Sequence, residues 1–434
     1  MTTRRQFLKS SAALMLMPSL GGISFANEVI GINPASGEEL QTILNLHSGT
    51  GNILRIERPK ELVCLIHDEI VGGEKTTQAL LIPEGVHLDL QGGTLLLDCR
   101  SNGYGVRLSN HSSIRNGTIR IVRSEGKGSQ GCWHGGINVG AAYGEGGTTE
   151  KPGQFSTVRN CAIDNITVDQ PFDSAAIQMM SEACHGRVTN VTILDSTKAL
   201  LGIGMDWGSV GPITTEDKEV PRMRSLWDRG EIYSTHPHDI LIENLKVGRL
   251  TRSIDGNDAA VRCSACHDIT VRNVEVEEAG VAVAIFGGDF GYEFARKDQR
   301  EFQHRGYLVE NVRIGNANIF GIVLNGAADN IYRAGLNHGY TPVRDPVHPG
   351  IDRPVIRDVS LKGGGARTNR QGVYAVAVRD GKFERATIRD FGIGIHVEDW
   401  VDGLQFEQTT FSGNTKDAQI EGATEPAKRV SINA

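Results

Sequence analysis

Short alternations of apolar and polar residues recur along most of the chain, and one Asn or Asp breaks many of them at the same point. Arg187-Val-Thr-Asn190-Val-Thr-Ile193, Leu241-Ile-Glu-Asn244-Leu-Lys-Val247, Thr270-Val-Arg-Asn273-Val-Glu-Val276, Leu308-Val-Glu-Asn311-Val-Arg-Ile314 and Val355-Ile-Arg-Asp358-Val-Ser-Leu361 all read as strand, polar residue, strand, with Asn116 and Asn165 marking earlier versions. Alternation over so few residues argues for half-buried strands. Asn is a poor strand residue, but it tolerates left-handed backbone and can hydrogen-bond its own kind, so it is read as a corner.

A third short strand follows each pair, opening on a small residue: Gly105-Val-Arg-Leu, Gly136-Ile-Asn-Val, Ala176-Ile-Gln-Met, Gly202-Ile-Gly-Met, Ala260-Val-Arg-Cys, Ala282-Val-Ala-Ile, Gly321-Ile-Val-Leu, Ala375-Val-Ala-Val and Gly394-Ile-His-Val. Three strands repeating with a shortest period of roughly 19 to 26 residues predict a solenoid whose coils bond only to their neighbours. Upstream, Ser36-Gly-Glu-Glu39 has capping-box spacing, and Leu40, Ile43 and Leu44 share one helical face. A short helix closing the open first coil is expected there.

These repeats resemble the right-handed parallel β-helix of the pectate-lyase-like superfamily, with an asparagine ladder at its second turn, over about residues 80 to 425. The resemblance implies an all-β solenoid with long loops on one side. It does not fix the chemistry, because that superfamily hosts lyases, hydrolases, epimerases, esterases and phage tailspikes. The expected organisation is a leader over 1–26, an N-terminal cap and entry strands over 27–79, and the β-helix over 80–434. Whether it is a monomer or a homotrimer is left open.

Fifty-three glycines against 6% aromatics fit many tight turns in a repetitive β fold. Thr3-Arg4-Arg5-Gln6-Phe7-Leu8-Lys9, the apolar run Ala12 to Met17 and Ser24-Phe25-Ala26 resemble a twin-arginine export signal cut after Ala26. The implied partner is the twin-arginine export machinery, and the implied location is periplasmic or secreted. The apolar run is too short to span a bilayer, so no membrane anchor is expected. Removing this leader takes three cations with it and leaves a net charge of −10. That balance argues against nucleic-acid or anionic-membrane binding. Seven cysteines in no framework spacing read mostly as small buried residues; Cys263 and Cys266 have CxxC spacing without a second metal-binding pair.

With the shared Ile or Val of the third strand facing inward, the residues beside it point outward. The preceding Gly or Ala would then form a smooth external strip on which a sugar ring could lie; alternatively, small residues suit a crowded corner. The following positions run Arg107, Asn138, Gln178, Gly204, Arg262, Ala284, Val323, Ala377, His396. Asp206 lies two beyond Gly204 and so falls diagonally beside Arg262, roughly 8 Å away at Cα from the coil and strand spacings. Asn138 and Gln178 extend this polar track, and Ala284 and Val323 end it. The longest insertions, 141–155, 207–238, 287–306 and 327–353, leave from the same corner and should wall a cleft. They carry sugar-suited groups, among them Trp207, His236, His238, Tyr292 and His304.

β-Elimination on a uronate needs a base for the proton alpha to the carboxylate and a cation to hold the charge that develops. In the pectate-lyase-like families an outward Arg or Lys commonly serves as base and acids recruit Ca²⁺, so the resemblance points to Arg262 and Asp206 as catalytic and to Asp206 as a possible calcium ligand. Arg stays protonated far above neutral pH, so Arg262 could instead neutralise the carboxylate and leave His236, His238, Tyr292 or His304 as base. An Asp–Arg pair that merely ties two coils together is the structural alternative. Ser253-Ile-Asp-Gly256 with Asn257-Asp258 echoes polygalacturonase segments, but no paired aspartates or His-Gly follow. The readings in order are an exported lyase acting on a uronate polysaccharide, a glycoside hydrolase pairing Asp206 with Glu231, Asp289 or Glu293, and a non-catalytic glycan-binding adhesin.

Overall fold

A computed structural model describes residues 28–66, 70–71, 74–75, 78–99, 104–124, 135–140, 157–170, 175–180, 182–206, 237–252, 258–264, 266–286, 305–326, 350–364, 369–422 and 426–433. The leader expected over 1–26 lies outside them. Among the described residues twenty-seven strands join in one sheet, and every pairing in its spiral is parallel, each strand bonding to its counterparts one coil before and one coil after. The first-strand row shows the register: Ile114, Ile163, Val188, Ile242, Val271, Val309, Ile356, Phe383, Phe406 and Ile432 are successive partners. Their side chains stack inside the spiral, with the Phe383 and Phe406 rings 4.6 Å apart. One apolar core runs unbroken from Ile32 to Phe406.

The asparagines are corners. Asn116, Asn165, Asn190, Asn244, Asn273 and Asn311 all have φ between 51° and 59°. The amides hydrogen-bond along the axis: Asn311 donates to Asn273 (2.8 Å), Asn273 to Asn244 (3.1 Å) and Asn244 to Asn190 (2.9 Å). Asn190 turns aside to Asp164 (2.8 Å), and the column resumes where Asn165 donates to Asn116 (3.0 Å).

The helix spans Gly37–Leu46. The Ser36 hydroxyl accepts from the Glu39 N–H at 3.2 Å while the Glu39 carboxylate accepts from the Ala35 N–H at 2.6 Å, a capping box whose return bond falls one residue before the N-cap. Leu40 and Leu44 are buried, Ile43 packs beside them, and Gln41 bonds the backbone of Leu81 through both N–H and C=O. The helix thus covers the first coil. That coil starts earlier than residue 80, because Ile53–Ile56, Glu61–Ile66 and Gln78–Ile82 already pair with the next turn.

Two expectations need correction. The small residue before the shared Ile or Val faces the interior: Ala176, Ala260 and Ala282 belong to the core. A Cβ at Gly105 would lie 2.4 Å from the Gly136 carbonyl oxygen and 2.6 Å from Leu97 Cδ1, and one at Gly202 would lie 2.5 Å from the Ala260 oxygen. Smallness answers a crowded corner, so there is no external strip. The ninth-coil register also moves, since Val323 pairs with Tyr374 and Leu324 with Ala375. Gly372-Val-Tyr-Ala is the true third strand, and Tyr374 replaces Ala377 on the outer face. Both segments fit a small-apolar pattern, and only pairing with the neighbouring coil distinguishes them.

Candidate functional site

The outer row of the third-strand sheet reads, coil by coil, Arg107, Asn138, Gln178, Gly204, Arg262, Ala284, Val323, Tyr374, His396 and Gln419. Gly204 partners Arg262, and Asp206 stands two residues further along Gly204's strand, opposite Met180 on its other side. The backbone register therefore brings Asp206 and Arg262 to adjacent coils; the Asp206 side chain lies outside the described residues. So do Trp207, His236, Tyr292 and His304.

The Asn138 side chain is fully buried at 0% exposure and Gln178 is at 2%. Among the described residues neither Asn138 amide atom has a hydrogen-bond partner, nor does Gln178 Oε1, and Gln178 Nε2 meets the Met180 sulfur at 2.8 Å. Glycines make room for these amides: a Cβ at Gly135 would sit 2.8 Å from Asn138 Oδ1, and one at Gly204 2.6 Å from Gln178 Oε1. Leaving such atoms unsatisfied costs about 1–3 kcal/mol each. Two coils on from Gln178, Arg262 donates from Nε to Ser264 Oγ (2.9 Å), and its guanidinium carbon lies 5.1 Å from the Phe286 ring centroid. Beyond Arg262 the face turns apolar, as Ala284 and Val323 join Ala175, Leu201, Ala259 and Val281 in a separate outer cluster.

Around the corner from this row stands a buried ionisable cluster that sequence reasoning mostly missed. His238 was expected in a loop. It instead opens the strand His238–Arg249 at 2% exposure, because Asp239 takes the left-handed corner (φ 53°) just as Asp268 does (φ 55°). His238 Nδ1–H donates to Asp239 (2.6 Å), its Nε2 lies 3.6 Å from Glu182, and its ring stacks on His267 at 4.7 Å. Glu182, fully buried, accepts from the Thr157 hydroxyl at 2.6 Å. Burial opposes charge on His238, but Asp239, the Cys184 sulfur and Glu182 outweigh it and push its pKa up to about 11. His267 goes the other way: burial holds it below the ordinary imidazole range, its bond to Asp268 (2.8 Å) offsets this only partly, and charge on His238 adds to the depression. Their surroundings thus push two stacked imidazoles in opposite directions. The visible signal was the pair His238-Asp239 and His267-Asp268 at matching coil starts.

Cys64, Cys161, Cys184, Cys263 and Cys266 are buried and unbridged, and burial pushes the Cys263 thiol up to about 12. Cys263 and Cys266 are core residues. Among the described residues no three His, Cys, Asp or Glu side chains converge to hold a metal. Asp206, the expected calcium ligand, has its side chain outside those residues.

The sequence matches no family model and no curated protein. Among solved structures, the chain is similar to the A-module of the mannuronan C-5 epimerase AlgE4 of Azotobacter vinelandii, with TM-score 0.53 and 12% identity over 92% of this chain and 97% of that one. It is likewise similar to the Dettilon tailspike protein (0.53, 11%, 93% and 68%) and to the tailspike of E. coli bacteriophage HK620 in complex with a hexasaccharide (0.53, 12%, 92% and 62%). At such identities the likeness establishes the fold, a parallel β-helix, and leaves the chemistry to the residues.

Proposed function

We propose that this protein is an exported carbohydrate-active enzyme that cleaves a uronate-containing polysaccharide by β-elimination, with Asp206 and Arg262 at the centre of its site. The observation that carries the reading is the pair of buried, unpartnered amides, Asn138 and Gln178, in one row with Arg262. Substrate hydroxyls would satisfy the amides, and Arg262, always charged, would pair with the uronate carboxylate and stabilise the charge that develops on it. The similarity to sugar-handling β-helices is consistent with such a substrate.

Two groups with pKa values pushed apart suit acid and base roles. His267, oriented by its Nδ1 contact with Asp268, takes the proton alpha to the carboxylate. The released electron pair forms the carbon–carbon double bond, the beta carbon–oxygen bond breaks, and His238 returns a proton to the departing oxygen. Asp206 shares the substrate with Arg262 from the neighbouring coil.

Incubating the protein with a panel of uronate polymers tests this. Unsaturated products absorbing in the ultraviolet, lost in Arg262→Ala and in His267→Ala, are expected. Full turnover by Arg262→Ala would remove the site. New reducing ends without ultraviolet absorbance would make the protein a hydrolase, and binding without product would make it an adhesin-like glycan binder.

A further inference from the structure

The outer row becomes polar again past the apolar patch. Phe320, Tyr374 and His396 line up on successive coils, with centroids 5.5 Å and 5.7 Å apart. Tyr374 donates its hydroxyl to Glu398 Oε2 at 2.7 Å. His396 is 7% exposed; its Nδ1 contacts Gln371 Oε1 at 3.1 Å, while its Nε2 is buried without a hydrogen bond among the described residues. That nitrogen sits 3.6 Å from Glu398 and 3.7 Å from Glu421, too far for a direct bond to either carboxylate. The arrangement has an aromatic row as platform, two half-exposed carboxylates as acceptors, and an unspent imidazole nitrogen aimed between them.

We infer that Phe320, Tyr374, His396, Glu398 and Glu421 form a second sugar subsite, one that takes a non-acidic ring, neutral or amino-substituted, of the same polymer that engages Arg262. This rests on the polysaccharide reading above and narrows it to a mixed polymer. Aromatic faces accept the apolar side of a sugar ring, and the carboxylates accept from its hydroxyls or from an ammonium. A uronate there would face Glu398 and Glu421 as like charges. Lys416 on the following coil donates to Gln419 at 3.1 Å. Burial and the Glu398 carboxylate keep the Tyr374 phenol protonated as a donor. From Arg262 to His396 is four ladder steps, about 19 Å at the spacing of parallel strands, so a bound chain must run along the axis to reach both.

The test is direct binding, by calorimetry or affinity electrophoresis, of the full chain and its variants to neutral gluco-oligosaccharides, glucosamine oligosaccharides and galacturonate oligosaccharides. At least one non-acidic series should bind, and Tyr374→Ala and His396→Gln should each weaken it by ~10-fold, the loss of one stacked or hydrogen-bonded contact. Tyr374→Phe, which keeps the ring, guards against a folding artefact. Arg262→Ala should leave non-acidic binding unchanged, and Tyr374→Ala should leave short galacturonate ligands unaffected. The inference is overturned if neither non-acidic series binds at millimolar ligand, or if binding ignores both ring variants. Non-acidic binding at Tyr374 with no action on uronates would keep this subsite while refuting elimination at Arg262.

Discussion

Replacing Asn244 by Ala tests the corner argument at one residue. Asn244 holds φ at 56°, donates to Asn190 at 2.9 Å and accepts from Asn273 at 3.1 Å. An Ala in left-handed backbone costs about 1 kcal/mol. Each lost side-chain bond adds about 0.5 kcal/mol, the low end for a hydrogen bond because the ladder is exposed and water can replace the partner. The sum, about 2 kcal/mol, should appear as a lower denaturant midpoint in urea unfolding followed by circular dichroism, with the slope unchanged. Asn244→Gly forfeits the same bonds but accepts the backbone angle, so it should recover close to half of the loss. A Gly variant no better than Ala would show that the column acts through hydrogen bonds alone. An Ala variant within 0.5 kcal/mol of wild type would mean that neither the angle nor the bonds hold the coil.

Other perturbations probe the site and the core. Gln178→Leu removes a buried amide with an unpartnered oxygen, so it should raise stability by ~1 kcal/mol while weakening substrate binding; lower stability would refute the reading of that amide as a ligand group. His238, raised from 6.5 to about 11, lends stability that is complete below pH 6.5 and lost as pH climbs through 11. His238→Gln should flatten the melting temperature against pH over that window, and an unaltered alkaline slope would count against the buried charge. Phe383→Ala empties a fully buried ring site stacked on Phe406 and should cost about 3–5 kcal/mol, measurable by the same urea titration.

The corners were legible because Asn carries its backbone preference wherever it stands, and the helix because its capping box is local in sequence. The Asp206–Arg262 diagonal was legible too, since both positions follow from counting along two third strands. What escaped depends on neighbours in space. Tyr374 was missed because Gly372-Val and Ala375-Val look alike until Val323 chooses between them. The inward Gly and Ala row was ambiguous because alternation assumes a straight strand, and the chain bends there. Glu182 gave no signal, because it meets the cluster through His238, which the strand pattern had assigned to an insertion.

The longest insertions read from the sequence fall between the end of a third strand and the next first strand. On either side the rungs are fixed by partners of their own: Met205 beside Cys263, His238 beside His267. Length and composition between those anchors can therefore change without shifting a single rung. A lineage could retarget such a scaffold to another polymer by rewriting its insertions, and an engineer could transplant them between coils, while the spiral beneath stays as it is.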